Sequence, residues 1–138
     1  MSYSDTPLWT APPRPEWLMA LNREGDSFDL PALVPLDAAS LLHHACESTG
    51  LDDFGEDLWR EPFSTLINAL EHEARLTLMG RLMARSDIIL WLSSRLQVVD
   101  LLKNHPKIHN EKITPPMLSV GLPRSGTSIL FELLTKDP

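Results

Sequence analysis

Apolar positions recur at helical spacing through the middle of this chain, and a further apolar segment lies near its end. Ile88, Leu92, Leu96, Val99 and Leu102 are spaced by 4, 4, 3 and 3 positions. That single stripe predicts a long helix from about Leu78 to Lys103, stopped by His105 and Pro106. Leu41, Leu42 and Ala45 form a shorter stripe, with Asp37 placed as N-cap and Gly50 as terminator. A further helix is predicted to start near Pro62, which a first turn tolerates, and to carry Leu66, Ile67, Leu70 and Ala74 on one side. The stretch LDDFGED between these two helices reads as a turn. Residues 1–35 hold Pro7, Pro12, Pro13, Pro15, Pro31 and Pro35, so an irregular arm is expected there, anchored by Trp9, Trp17, Leu18 and Phe28.

After a connector through Pro116, the pattern changes to strand, turn and helix: MLSVGLPRSGTSILFELL, from Met117 to Leu134. Met117, Leu118 and Val120 predict a short buried strand, and Gly121 and Gly126 bracket a loop stiffened by Pro123. Ser125, Thr127 and Ser128 place hydroxyls beside the free amides of a helix start, where the dipole favours a phosphate or sulfate group. Arg124 adds a permanent forked cation. Set against the nucleotide-binding pattern G-x-x-x-x-G-K-S/T, residues 121–128 keep both glycines and the final hydroxyl, but Thr127 stands where the lysine belongs. The ammonium that reaches the outer phosphates of ATP or GTP is missing, so another anionic donor fits better.

The segment GLPRSGTSIL resembles the 5'-phosphosulfate loop of sulfotransferases that use 3'-phosphoadenosine 5'-phosphosulfate, PAPS. Upstream, residues from Leu51 onward are similar to the helical region that precedes this loop in a bacterial branch of the family. The resemblance implies an α/β, P-loop-like sulfotransferase fold, here its helical N-terminal layer and the first strand-loop-helix of the parallel sheet. It divides the chain into a proline-rich arm over 1–36, a helical region over 37–112 and the start of the PAPS-binding domain over 113–138. Carried over by position, Arg124, Ser125, Gly126, Thr127 and Ser128 hold the phosphosulfate, with Arg124 also the catalytic cation. Many relatives have lysine at the Arg124 position; arginine occurs there in bacterial and Golgi-type members.

In the family, the general base, the 3'-phosphate clasp and the adenine pocket come from sequence after this helix. The chain is therefore expected to be an N-terminal fragment, inactive in isolation, of an enzyme that transfers a sulfuryl group to a hydroxyl or amine. Its acceptor would be a small molecule or a glycan or lipid hydroxyl. Two other readings stay open: a non-enzymatic helical interaction protein or remnant that retains the loop, and a nucleotide-triphosphate-binding module. A lone strand also leaves backbone groups open, so association through it, or a homo-oligomer, is expected.

Composition adds compartment and charge. Hydrophobic residues make up 43% of the 138 residues and the formal net charge is −7. The charge is uneven, with 14 acidic and 3 basic residues over 1–73 against 5 acidic and 9 basic over 74–138, so the loop lies in the basic part. Arg75, Arg81, Arg85 and Arg95 read as a solvated helix face. No basic run interleaved with aromatics supports nucleic-acid binding. No stretch approaches the roughly 18 apolar residues of a membrane helix, and the first residues lack the pattern of a secretory signal. With Cys46 as its sole cysteine, the chain is expected to be cytoplasmic. His43, His44, Cys46 and Glu47 offer metal-ligand types, but no second cluster completes a closed shell, and no metal is expected. Glu71, His72 and Glu73 lack H-E-x-x-H spacing and read as a solvated face.

Overall fold

The computed structural model describes residues 12–114, 116–121 and 125–136. They fall into two compact units divided between His105 and Pro106.

The first unit is helical: α1 Glu16–Gly25, α2 Leu30–Leu33, α3 Ala38–Thr49, α4 Arg60–His72 and α5 Leu78–Asn104, with a 3₁₀ turn Asp57–Trp59 leading into α4. The ends follow local chemistry. Asp37 accepts the Ser40 N–H at 2.8 Å to open α3, and Gly50 closes it in the left-handed region at φ 70°. The Thr77 hydroxyl accepts the Gly80 N–H at 3.3 Å to open α5, and His105 with Pro106 behind it ends that helix. Pro62 is the third residue of α4, where its missing N–H breaks no helical bond.

The core sits where α3 packs on α5, with α4 closing one side. Leu41 and Ala45 of α3 meet Ile88, Leu92 and Leu96 of α5, and Ile67 and Phe54 complete the cluster. The cluster buries Leu41 and Ala45 of the α3 stripe and the α5 stripe as far as Leu96. On α4 only Ile67 of the expected side is buried; Leu66 is exposed, and Ala74 lies past the helix end at His72 and is exposed too.

The proline-rich arm is less irregular than its composition predicts. Pro15 and Pro31 leave 15 proline-free residues between them, enough for α1, whose N-cap is Pro15. The arm docks on the opening turns of α5. Asn22 Oδ1 accepts the Met79 N–H at 3.3 Å, and Gly25 is buried so close to Leu78 that a Cβ there would lie 2.7 Å from the leucine's Cβ.

Three of the four arginines expected on a solvated face do the opposite. Arg81 is 4% exposed; its Nε donates to the Val34 carbonyl at 2.9 Å and its Nη2 to Glu71 Oε2 at 2.7 Å. Glu71 is thus a half-buried ion-pair partner, not a solvated carboxylate. Arg85 donates to the Pro35 carbonyl and, at 2.8 Å, to the Ser40 hydroxyl. Arg95 reaches the Phe54 and Glu56 carbonyls at 2.7 and 3.0 Å. Each guanidinium satisfies carbonyls of chain that enters or leaves α3 without a ladder of its own. Of the four, only Arg75 is exposed.

The second unit has a 3₁₀ segment Pro106–Asn110, an extended stretch and α6 Thr127–Leu134. The predicted strand over Met117–Gly121 has no ladder: among the described residues there is no strand at all. A strand exists only by pairing, and none of these residues supplies a second one. Met117, Leu118 and Val120 are exposed, as are Ile129, Phe131 and Leu133 on α6. A helix apolar on more than one side is a helix made to be covered.

Candidate functional site

The loop between the extended stretch and α6 is where the expected site residues lie. Gly126 is the N-cap of α6 and takes φ 91°, the left-handed region closed to side chains with a Cβ at low energy. Nothing lies within 4 Å of a Cβ built on Gly126, so its requirement is conformational. Gly121 is the reverse case. A Cβ there would sit 2.5 Å from Ser125 Oγ and 3.0 Å from Thr127 Cγ2. Gly121 therefore lies against the helix start so closely that a side chain there would require the Ser125 and Thr127 side chains to shift.

The first helical bond, from the Leu130 N–H to the Gly126 carbonyl, is 3.0 Å, and no side chain caps the amides before it. The N–H groups of Thr127, Ser128 and Ile129 precede that bond and have no partner one turn back in the helix. Thr127 and Ser128 also line a groove of about 450 Å³ with Met117, Leu118, Phe131 and Glu132, a size that suits a small-molecule ligand. Open amides and the helix dipole at the α6 start suit a phosphate or sulfate group, whereas the Glu132 carboxylate that also lines the groove opposes one.

The structure thus brings Gly121, Ser125, Gly126, Thr127 and Ser128 into one loop-and-helix start. Arg124, the expected cation, lies outside the described residues. Glu132 was not anticipated as a neighbour of the site. Its position four residues after Ser128 was the available signal, since i and i+4 share a helix face.

Elsewhere, His43 Nε2 and His44 Nδ1 lie 3.4 and 3.8 Å from the Glu47 carboxylate on exposed surface. Among the described residues no group of three or more His, Cys, Asp or Glu is placed to hold a metal ion. Nor is any described helix long and apolar enough to cross a membrane.

No protein-family model matches the chain, and no curated protein matches it. Among solved structures, the chain is similar to sulfotransferase STF1 from Mycobacterium tuberculosis H37Rv. The two are 36% identical with a TM-score of 0.63, over 74% of this chain and 28% of that one. The likeness gives the chain a sulfotransferase-like fold, and the chain spans a little over a quarter of the length of the protein it matches.

Proposed function

We propose that this chain carries the phosphosulfate-binding part of a PAPS-dependent sulfotransferase acting on a hydroxyl or amine acceptor. In this proposal residues 1–36 are an arm, 37–112 the helical layer and 113–138 the opening of the PAPS-binding domain. The observation that supports it most is the helix start itself, where Gly126 takes a left-handed φ and Gly121 lies against Ser125 and Thr127, beside open amides of α6.

PAPS, when bound, supplies a sulfuryl group activated by its anhydride link to the 5'-phosphate. The Thr127, Ser128 and Ile129 amides and the Ser125, Thr127 and Ser128 hydroxyls would hold the phosphosulfate oxygens, with no rearrangement of the helix start. Arg124 would add charge-assisted bonds worth roughly 1.5 to 3 kcal/mol each and draw negative charge away from the transferring group. Because the likeness takes in 28% of the sulfotransferase, no residue of this chain is assigned as general base, 3'-phosphate clasp or adenine pocket. The whole reaction needs those parts.

Equilibrium dialysis against radiolabelled PAPS tests the proposal. Retention without magnesium is expected, and Arg124→Ala should weaken it about ten- to hundredfold, the loss of one strong charge-assisted bond. Magnesium-dependent retention of ATP with none of PAPS would overturn it in favour of a nucleotide-triphosphate module. Gly126→Ala is a second probe. Forcing a Cβ into the left-handed region costs about 1 to 2 kcal/mol, so PAPS retention should fall about five- to thirtyfold while the thermal melting of the helical unit is unchanged.

A further inference from the structure

We infer that the helical unit carries an anion site of its own, in the groove between α1 and the α4–α5 turn, that takes a small organic phosphate monoester on Arg14 and Arg75. The groove has a volume of about 400 Å³, a size that suits a small-molecule ligand. Arg14, Asn22, Arg75 and Thr77 are its polar side chains, Leu18 and Met79 belong to its apolar ones, and no acidic residue lines it among the described residues. An adjoining cavity of about 310 Å³ shares Arg14, Asn22 and Thr77 and adds Arg23 and Asp26. The site stands whether or not the chain takes part in sulfuryl transfer.

The other described arginines set these three apart. Arg60 pairs with Asp57 and Arg81 with Glu71; Arg85 donates to Pro35 and Ser40, and Arg95 to the Phe54 and Glu56 carbonyls. Arg14, Arg23 and Arg75 form no ion pair among the described residues. They stay unpaired although residues 1–105 carry 16 acidic side chains against 8 basic ones. All three line the two adjoining cavities, a gathering of like charge that a bound anion would relieve.

The remaining polar side chains of the groove are donors as well. Asn22 Oδ1 accepts the Met79 N–H at 3.3 Å and Thr77 Oγ accepts the Gly80 N–H at 3.3 Å, which leaves the Asn22 NH2 and the Thr77 O–H to donate. Those two bonds also occupy amides of the α5 start, so side chains and not the helix end make the site. A lining of two guanidinium forks and further donors calls for a ligand rich in acceptors. A carboxylate offers two oxygens and one charge, whereas a phosphate monoester offers three terminal oxygens and about −1.5 to −2 charges at pH 7. Leu18 and Met79 give its organic part an apolar surface. Asp26 lines only the adjoining cavity. It opposes an anion at the Arg23 end, so the phosphate belongs between Arg14 and Arg75.

Arg75 takes φ 48° without being glycine, so Arg75→Gly removes the guanidinium and suits the backbone it leaves. Phenyl phosphate, phenyl sulfate and phenol are titrated at fixed ionic strength into the 138-residue chain, Arg75→Gly and Arg14→Gln. Backbone amide NMR is the readout, and far-UV circular dichroism checks that each variant folds. Saturable shifts with phenyl phosphate are expected at Asn22 and over residues 74–80. In each variant they should need about five- to tenfold more ligand, the loss of one charge-assisted contact on an exposed surface. Phenyl sulfate, with a single charge, should bind more weakly, and phenol should leave these amides unmoved. Arg124→Ala should not alter the shifts at 74–80, which separates this site from the loop before α6. Shifts confined to residues 125–129, equal affinity for the phosphate and the sulfate, an equal response to phenol, or indifference to either variant would overturn the inference.

Discussion

Arg81→Met is expected to destabilise the helical unit by about 3 kcal/mol, the lower end of the range for removing one partner of a buried ion pair. The change strands two groups together. Glu71, with its side chain 23% exposed, keeps a charge it can only partly hydrate, and the Val34 carbonyl loses the guanidinium N–H that it accepts. Urea unfolding monitored by far-UV circular dichroism measures the loss. A double variant, Arg81→Met with Glu71→Leu, should recover part of it, because the stranded carboxylate goes, but not all, because Val34 remains unsatisfied. A loss below about 0.5 kcal/mol in the single variant, the range of ordinary surface substitutions, would show that Arg81 is solvated after all.

Leu96→Ala should cost about 2 to 5 kcal/mol by the same measurement. Leu96 is fully buried between α3 and α5 and belongs, among the described residues, to a cluster of seven buried residues with partly buried apolar side chains around it. So small a core has little else to redistribute the cavity over, and domains of this size hold only a few kcal/mol in reserve. The variant is expected to be largely unfolded at physiological temperature. Leu90→Ala on the same helix, 61% exposed, should change stability by less than about 0.5 kcal/mol.

These two positions also mark what the sequence could reveal. Leu96 was legible, because its stripe repeats at helical spacing and because Asp37, Gly50, Pro62 and Pro106 are local signals that act at their own positions. Arg81 was misread although its register was visible. Residues 81, 85, 88, 92 and 96 form one line on α5, so the arginines extend the buried stripe. What they bind, the Val34 and Pro35 carbonyls and Glu71, lies far off in sequence or on another helix, and no local rule reports it.

The same limit explains the strand. An apolar run at Met117–Val120 is a local fact, whereas a ladder is made by a second strand, and the described residues contain none. The loop was legible because its chemistry is consecutive: two glycines, three hydroxyls and a helix start within eight residues. The close approach of Gly121 to Ser125 and Thr127 needed coordinates.

Whether the loop at the start of α6 is a phosphosulfate cradle is tested most directly by a backbone amide NMR titration with PAP, the desulfated form of the donor. Progressive shifts are expected, confined to the amides of residues 125–129 and moved to about ten- to hundredfold higher PAP concentration in Arg124→Ala, with the amides of α3 to α5 unmoved. Silent loop amides at saturating PAP, or shifts that appear only with ATP and magnesium, would contradict the cradle.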